Sequence, residues 1–558
     1  MSRIFDIADR YVDAFAALDP NAATAAGITC HESEMTDYSP DGATAIAALD
    51  RRTVAELAAA PVEGERDRIA RDVMAERLGV RIDAFDAGEH FRALRPLASP
   101  LQGVRNGFDQ MPRATQDDWQ KIAARLNLVP GALDGIRATL REGLRRGTPA
   151  AQRQARECAT QAAIWSGQRG RPSFFSTLLD AYHATPALAS DTLRAAIEAG
   201  VRASEAAYAG MRTFLETEYL PGATERDAAG RERYQLTSRQ FNGCDLDLEE
   251  TYAWGWDALY RVEREMAATA AKIVPGGSID DAQRLLDTDP ARAIDGVDAH
   301  RAWLQEIHDR ALDDLDGTHF DIDPRVKRIE VMIPPAGGAL APYYSGPSED
   351  FVRPGRTWWP AGTRTRFAKW TDVSTAYHEG VPGHHLQVGA TRCLGDTLSR
   401  YQRSLTFVSG HGEGWALYAE RLMGELGYLD NPDYYLGLLS AQAMRCVRVI
   451  IDIGMHLELA IPRTERFHPG EVWDHALGLA FGIERSRQDA ELMTSELIRY
   501  LGWPAQAISY KVGERAWLAA RETAKKRQGA AFDLKRFHTE ALGLGPMGLE
   551  QLARETAR

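Results

Sequence analysis

Cysteine is scarce in this sequence, and the few residues present are scattered. Five cysteines occur among 558 residues, and none belongs to a CxxC pair. An odd number of widely spaced cysteines argues against a disulfide framework and against a metal site held by thiolates. We expect most of them to be small buried hydrophobic residues; they are Cys30, Cys158, Cys244, Cys393 and Cys446.

Long apolar runs are also missing. No stretch approaches the roughly 20 apolar residues that a membrane-spanning helix requires. In the first segment, MSRIFDIADRYVDAFAALDP, acidic residues interrupt the apolar ones at helical spacing. That segment lacks the apolar core and the cleavage pattern of a signal peptide. The sequence therefore predicts a protein without a membrane partner and with a cytoplasmic location.

The sequence has no excess of positive charge. Its formal net charge is −13 at pH 7, and no dense basic run interrupts that balance. Because binding to phosphate backbones needs a basic face, nucleic acid is excluded as a partner. Hydrophobic residues make up 44% and charged residues 26% of the chain, which is typical of globular proteins and argues against disorder.

The length and the pattern of the chain predict a mostly α fold with more than one substructure. A single core rarely grows beyond roughly 250–300 residues, and there is no internal repeat at a fixed period. Residues 1–317 have apolar side chains at helical spacing throughout. The clearest predicted helices in this region are Glu65–Ala84, Gln120–Arg146, Asp191–Thr217 and Asp245–Ile273.

The composition changes near residue 318, where proline and glycine become frequent and short β-prone runs appear. Val326–Ile333, Ala341–Tyr344 and Thr357–Trp359 are predicted as three strands of a small sheet, whose edge strand could pair with an extended substrate. Helical patterns resume at Thr371. We therefore predict a helical N-terminal region over 1–317 that forms one wall of a cleft, a small β-sheet region over 318–370, and a helical metal-binding catalytic region over 371–558.

A histidine-rich motif follows the predicted sheet. In HExxH metalloenzymes, two histidines four residues apart bind zinc from one helical face, and the glutamate is the general base. Here HEGVPGHH has Pro382 at the fourth position after His378, and the next histidines are His384 and His385. On a straight helix these would lie about 9 and 10.5 Å along the axis from His378, whereas ligands of one zinc ion must approach to roughly 3 Å. Pro382, flanked by glycines, would break the helix and remove this obstacle.

A second acidic and histidine-bearing helix is predicted where a third metal ligand is needed. The segment HGEGWALYAERLMGELG begins at His411, and Glu413 stands 29 residues after His384. That spacing is enough for one helix to end and an antiparallel one to return. Glu413 is therefore the predicted third ligand, with Glu420 as an alternative.

Two resemblances add to this interpretation. EGWALYAE is similar to the N-E-G-F-A-x-Y-x-E segment of gluzincin aminopeptidases, whose first glutamate binds zinc and matches Glu413. HEGVPGHHLQ resembles the signature of a bacterial family of unknown function, DUF885, as do three further segments over nearly the whole chain: APYYSGPSEDFVRPG from Ala341, RVIIDIGMH from Arg448, and PAQAISYKVG from Pro504. The resemblance implies a gluzincin-like helical metallohydrolase related to peptidases, and it favours His384 over His385 as the second ligand.

Further polar residues occur after the predicted metal motif. Arg448, Asp452 and His456 recur at four-residue steps, which places them on one helical face. Asp452 could hydrogen-bond the outer nitrogen of a ligating histidine, and Arg448 or His456 could meet a substrate carboxylate or a developing oxyanion.

The oxyanion-stabilising side chain is predicted in the segment PAQAISYKVG. Tyr510 is the first choice for this role, because a tyrosine hydroxyl can donate to a developing oxyanion. Tyr344 and His411 are the alternatives. Gln506 lies in the same segment as Tyr510 and is a further polar candidate for the site.

The function predicted from these motifs is a zinc-dependent hydrolase. It would be a metallopeptidase or amidase acting on short peptides or modified amino acids, with one Zn²⁺ per chain bound by His378, His384 and Glu413, and with Glu379 as the general base. Two alternatives stay open: a non-haem iron enzyme that uses the same two histidines and carboxylate, and a non-catalytic binding protein that keeps the fold. The assembly is predicted to be a monomer or a homodimer.

Overall fold

The protein is described by a computed structural model that covers residues 2–170, 172–188, 190–334 and 341–558. These residues are mostly helical, which confirms the predicted α class. The chain forms two compact units. The first comprises Met1–Asp67, Leu78–Ala228 and Leu501–Trp503, and the second comprises Arg68–Arg77, Ala229–Tyr500 and Pro504–Arg558. The division of the chain at residues 317 and 370 stays a prediction.

Helices account for nearly all of the regular structure up to residue 228. They are α1 (Arg3–Leu18), α2 (Pro20–Ala26), α3 (Pro40–Ala59), α4 (Glu65–Asp86), α5 (Pro100–Gln110), α6 (Gln116–Arg145), α7 (Gln152–Trp165), α8 (Phe174–His183), α9 (Asp191–Phe214) and α10 (Leu220–Gly222). The core of the first unit is built chiefly by α5 to α9. Trp119 and Leu126 of α6 are fully buried there, and Trp165 meets Tyr208 edge to face with ring centroids 5.5 Å apart.

The second unit holds the remaining helices. They are α11 (Arg231–Asn242), α12 (Leu248–Ile273), α13 (Ile279–Thr288), α14 (Val297–Leu315), α15 (Lys369–Glu379), α16 (His384–Cys393), α17 (Arg400–Ser404), α18 (Ser409–Glu425), α19 (Pro432–Leu457), α20 (His475–Ser486), α21 (Ala490–Gly502, which ends in the first unit), α22 (Ser509–Gln528), α23 (Leu534–Gly543) and α24 (Leu549–Thr556). Its centre is α19, which is buried along most of its length.

Two small sheets precede the helices that carry the candidate site. The strands are β1 (Ala293–Asp295), β2 (Ile329–Met332), β3 (Tyr343–Ser345), β4 (Gly355–Trp358) and β5 (Arg366–Ala368). One sheet has the order β2-β4-β3, with β2 parallel and β3 antiparallel to β4. The other pairs β1 with β5 in antiparallel register. The three-stranded sheet lies where the sequence predicts it, whereas β1 falls in a region predicted to be helical.

The ends of the predicted helices follow local capping chemistry. α12 begins after Asp247, whose side chain accepts a hydrogen bond from the backbone N–H of Glu250 at 2.9 Å. α6 begins after Thr115, which forms a capping box with Asp118. Such caps satisfy backbone donors that the first helical turn leaves unpaired. The acidic run before α12 is therefore a start signal, and the helix begins at Leu248.

Glycines allow α18 and α22 to cross at very short range. A Cβ atom on Gly414 would collide with the backbone of Gly513, and one on Gly513 would collide with the carbonyl oxygen of Gly410. Only glycine lets two helix backbones approach this closely. Glu413 directly precedes Gly414 on α18, and Tyr510 lies one turn before Gly513 on α22, so the crossing brings these two positions into one region.

Within the described residues, every helix is too short or too polar to cross a lipid bilayer.

Candidate metal centre

The helix that carries His378 ends at once after it. α15 stops at Glu379, and α16 begins at His384, so the two histidines lie on separate helices joined by a four-residue turn. The N–H of Gly383 donates to the carbonyl of Tyr377 at 3.0 Å and closes this turn. A Cβ atom at Gly383 would collide with the carbonyl oxygen of His378. The predicted break of the helix is therefore present, and it goes beyond a kink.

A tryptophan of α18 fastens this turn. The indole N–H of Trp415 donates to the carbonyl of Pro382 at 2.8 Å, and Trp415 is fully buried. Glu413 lies two residues before it on the same helix. The turn between the histidines and the helix that carries the carboxylate are thus held together directly, independently of any ligand.

The structure brings His378, His384 and Glu413 together. Potential ligand atoms of these three side chains all lie within 4.8 Å of one another. The Nε2 atoms of His378 and His384 are each 3.4 Å from Oε2 of Glu413. Tetrahedral zinc with bonds of about 2.0–2.2 Å holds neighbouring ligand atoms roughly 3.4 Å apart. Two imidazoles and one carboxylate at this spacing fit zinc, and the same donor set also fits iron.

Glu420 orients the first histidine. Its Oε1 accepts a hydrogen bond from Nδ1 of His378 at 2.8 Å, which leaves Nε2 facing Glu413. Ser374, one turn before His378 on α15, donates to the other carboxylate oxygen. A carboxylate behind a histidine in this way fixes the tautomer that binds metal. Glu420, predicted as an alternative ligand, thus occupies the supporting position for which the sequence favours Asp452.

Asp452 lies elsewhere in the second unit. Its Oδ2 accepts hydrogen bonds from the hydroxyl of Tyr234 at 2.7 Å and from the N–H of Ala505 at 3.0 Å. Burial raises the pKa of Asp452 to about 7. The residue therefore fastens the segment that leads to Tyr510, and it makes no hydrogen bond to His378 or His384.

Arg445 is a site residue that the sequence prediction missed. Its Nη2 is 3.4 Å from Oε1 of Glu420, its Nε is buried without a hydrogen-bond partner, and its charge acts on Glu379. It stands one turn before Arg448 on α19. Arg445 is not at four-residue spacing from Arg448, Asp452 and His456, and only its position one turn before Arg448 could have drawn attention to it.

The charges at the centre are strongly perturbed. Burial alone would lower the pKa of His378, but hydrogen bonds with Glu413 and Glu420 raise it to about 9. Burial opposes ionisation of Glu413 as well, yet His378 and His384 hold the pKa of Glu413 far below its ordinary value. Burial raises the pKa of Glu379, and the two histidines only partly offset this shift. Perturbed acids and bases packed together are typical of functional sites.

Tyr510 stands beside the centre, as predicted for an oxyanion donor. Its ring is nearly parallel to that of His378, at 17° and with centroids 6.5 Å apart. Burial raises its pKa, and the charge of Glu413 adds to the shift. The hydroxyl therefore keeps its proton at neutral pH and can donate a hydrogen bond.

Arg448 packs against Tyr510 and belongs to a charged cluster. Its guanidinium carbon is 4.6 Å from the centroid of the Tyr510 ring. Its Nη2 is 2.8 Å from Oε2 of Glu496, and its Nε donates to the hydroxyl of Tyr500 at 2.9 Å. Arg499 also binds Glu496, through Nε at 3.1 Å and Nη2 at 2.8 Å. Glu496, Arg499 and Tyr500 escaped the sequence prediction, although Glu496 and Tyr500 are one turn apart on α21.

The remaining predicted residues have structural partners. His385 is buried, with Nδ1 3.1 Å from the hydroxyl of Tyr344 and Nε2 2.7 Å from the carbonyl of Val326. It is not part of the metal-ligand group. Nδ1 of His411 is 3.0 Å from the side chain of Gln387, and burial lowers the pKa of His411 to about 3.

The side chains of two further candidates also have hydrogen-bond partners within the protein. Gln506 accepts from Arg499 at 2.5 Å. His456 is fully buried, with one ring nitrogen 3.1 Å from the N–H of Ala229 and the other 3.1 Å from the carbonyl of Tyr500. Neither ring nitrogen of His456 is left for a substrate.

Sequence comparison places the chain in a family. The family described as "Bacterial protein of unknown function (DUF885)" matches residues 20–555, which is nearly the whole chain. The chain belongs to this family. The match extends over nearly the whole length of this DUF885 protein. No curated protein matches it.

Two solved structures share the fold of this DUF885 protein. The "putative lipoprotein" from Colwellia psychrerythraea has a TM-score of 0.87 at 20% identity, and the match covers 100% of this chain and 99% of that chain. The "putative lipoprotein of unknown function" from Shewanella oneidensis has a TM-score of 0.74 at 18% identity, with 100% of both chains covered. At these identities the likeness concerns the fold.

The predicted cytoplasmic location is wrong. Both similar structures carry the description "putative lipoprotein", and a lipoprotein is held at a membrane by a covalently attached lipid. This points away from the cytoplasm. The prediction rested on the first segment of the sequence, which forms α1 and buries Ile4, Ile7 and Tyr11. Its apolar pattern reflects packing and says nothing about where the protein is delivered.

Proposed function

We propose that this DUF885 protein is a zinc-dependent hydrolase of the metallopeptidase or amidase type. The observation that carries the proposal is the grouping of His378, His384 and Glu413, with ligand atoms within 4.8 Å of one another, beside a buried glutamate whose pKa is raised. Zinc bound by such residues acidifies water and polarises a carbonyl group. The similarity of EGWALYAE to the gluzincin segment supports the same assignment.

Glu379 is suited to the role of general base. It is 7% exposed, and the charges of His378, His384 and Glu413 all act on it, so its carboxylate adjoins the candidate ligands as a general base requires. In the proposed reaction its carboxylate accepts a proton from the attacking water and returns it to the leaving nitrogen. Tyr510 donates a hydrogen bond to the oxygen of the reacting carbonyl.

The edge of the three-stranded sheet favours a substrate with an extended backbone. β3 is one of the two edge strands of its sheet and pairs only with β4 among the described residues. The ring of Tyr344 on β3 lies 6.4 Å from that of His384. A peptide that added to this edge would pass beside the metal ligands, because main-chain pairing aligns an extended chain with the strand. Short peptides or modified amino acids are the proposed substrates.

Metal content tests the first half of the proposal. Protein purified without added metal is analysed by elemental mass spectrometry as wild type, His378→Ala, His384→Ala and Glu413→Ala. His385→Gln is the matched control, because His385 is adjacent and buried but bonded to Tyr344 and Val326. We expect about one zinc per chain in the wild type and the control, and strong loss in the other three.

An activity assay tests the second half of the proposal, which is the hydrolysis of an amide. A library of short peptides and N-acyl amino acids is incubated with zinc-loaded wild type and with Glu379→Gln, which keeps the ligands. We expect hydrolysis to fall by about 10²- to 10⁴-fold in the variant. Iron in place of zinc would favour the alternative of a non-haem iron enzyme. Full zinc occupancy without hydrolysis of any amide would favour a binding protein.

A further inference from the structure

Two arginines beside Tyr510 share one hydrogen-bonded carboxylate. Arg448 and Arg499 both bind Glu496, and the side chains of both arginines are 11% exposed. Among the described residues, Glu496 is the only carboxylate hydrogen-bonded to either arginine. Two cations therefore share one directly bonded anion in a mostly buried place, which favours binding of a second anion.

Other acids nearby are already engaged. Glu420 faces His378 and Arg445, and Glu413 faces the two histidines. The charge of Arg499 acts on Asp452, but the hydrogen bonds of Asp452 go to Tyr234 and Ala505. None of these carboxylates is hydrogen-bonded to Arg448.

One hydrogen-bond donor of the cluster is open. Nε and Nη2 of Arg448 are bonded to Tyr500 and Glu496, whereas Nη1 has no hydrogen bond to any described residue. All three guanidinium nitrogens of Arg499 are occupied. Arg499 therefore fixes Glu496, and Arg448 is the residue that can reach a ligand. The hydroxyl of Tyr510 likewise has no hydrogen bond within the described part of the chain, and the Arg448 guanidinium lies against its ring.

We propose that Arg448 binds the terminal carboxylate of the substrate, and that the protein acts on short peptides or N-acyl amino acids with a free carboxylate near the scissile amide. This rests on the proposed hydrolase function. The centroid of the Tyr510 ring lies 6.5 Å from the ring centroid of His378 and 4.6 Å from the guanidinium carbon of Arg448. Because an extended chain spans roughly 3.3–3.6 Å per residue, a carboxylate one or two residues beyond the reacting carbonyl can reach the guanidinium.

Matched ligands test the site by binding rather than by turnover. Mercaptoacetyl-alanine and mercaptoacetyl-alanyl-alanine join a zinc-binding thiol to a free carboxylate, and their C-terminal amides lack only the charge. Mercaptoacetyl-glutamate α-amide places a carboxylate on the side chain instead. Dissociation constants are measured by calorimetry on zinc-loaded protein whose metal content has been determined. We expect at least one acid to bind about 10- to 100-fold more tightly than its amide, as befits a charge-assisted hydrogen bond.

Variants assign the preference to Arg448. Arg448→Gln should lower the ratio of acid to amide affinity towards one, and Arg448→Lys should retain part of it. Glu496→Gln removes the competing anion and should tighten binding of the acid, an effect of opposite sign that a purely structural role would not produce. Arg485→Gln is the control, since Arg485 forms a comparable pair with Glu263 at 2.7 Å and should leave the ratio unchanged.

The outcomes separate the two proposals. Equal affinity for acids and amides at full zinc occupancy would overturn the carboxylate site and leave the metal centre standing. An unchanged preference in both Arg448 variants would overturn the role of this residue. Tighter binding of the glutamate α-amide than of the terminal acids would overturn recognition of the terminus. Failure of the wild type to bind zinc would overturn both proposals.

Discussion

Replacing Glu420 by glutamine tests whether the carboxylate behind His378 serves metal binding. The side chain keeps its shape and one acceptor oxygen, but it loses the charge that faces Nδ1 of His378 at 2.8 Å. The substitution also removes the negative charge that lies 3.4 Å from Arg445 and that accepts a hydrogen bond from Ser374. The NH₂ group of the glutamine must then point either at His378 and Arg445 or at Ser374, all of which present donors to the carboxylate.

The magnitude follows from the hydrogen bond that is weakened. A bond to a charged group contributes about 1.5–3 kcal/mol, which corresponds to roughly 10- to 150-fold in a dissociation constant. Loss of an outer partner of a ligating histidine typically weakens metal affinity by about 10- to 100-fold. We therefore expect Glu420→Gln to bind zinc about 10- to 100-fold less tightly than the wild type, with one site per chain retained.

Competition with a chromogenic chelator measures this difference, and circular dichroism shows whether the fold is kept. Glu425→Gln is the control on the same helix, because Glu425 pairs with Arg521 at 2.8 Å and is 48% exposed. Zinc affinity in Glu420→Gln equal to that of the wild type, or reduced only as far as in the control, would refute the role assigned to Glu420.

Three further predictions concern the helices around the site. Tyr510→Phe should keep zinc content unchanged while kcat falls by about 10²- to 10³-fold, because only the hydrogen bond to the oxyanion is lost; a normal kcat would contradict this. Gly414→Ala should lower the free energy of unfolding by about 1–3 kcal/mol through the clash with Gly513, measured by urea denaturation, and a neutral result would mean that the helices separate freely. The buried Asp452 has a pKa of about 7, above the unfolded value of about 3.9, so its stabilising contribution is complete below the unfolded pKa and is lost as the pH rises towards 7. Asp452→Asn should therefore show a flatter decline of unfolding free energy between about pH 5 and pH 7 than the wild type, and parallel curves would disprove the assignment.

Periodic patterns were sufficient for the helical part of the fold. The predicted helix Asp191–Thr217 corresponds to α9, and Glu65–Ala84 corresponds to α4. In α9 the apolar side chains repeat at helical spacing and form one buried face, which is the pattern that predicts a helix. β1 was missed, since three residues are too few to show a period, and its partner β5 lies about 70 residues away. Pairing at such a distance leaves no local mark in the sequence.

At the candidate site, spacing identified residues better than it identified their roles. Glu413 and Glu420 are seven residues apart and so share a helical face, and nothing in that spacing tells which one meets Nε2 of His378 and which one meets Nδ1. The supporting role predicted for Asp452 failed for a similar reason. Its partner Tyr234 comes from a helix more than 200 residues earlier, and only the folded chain brings them together.

The separation of the two histidines onto different helices has a consequence for how such sites are found and how they evolve. In an HExxH helix, the ligand pair is a local property of one turn and survives wherever that helix is placed. Here the pair exists only while α15, α16 and the turn between them keep their places, with Trp415 holding the turn. A search keyed to the four-residue interval passes over any chain built in this way, and the number of residues between the histidines is free to change as long as the turn still closes.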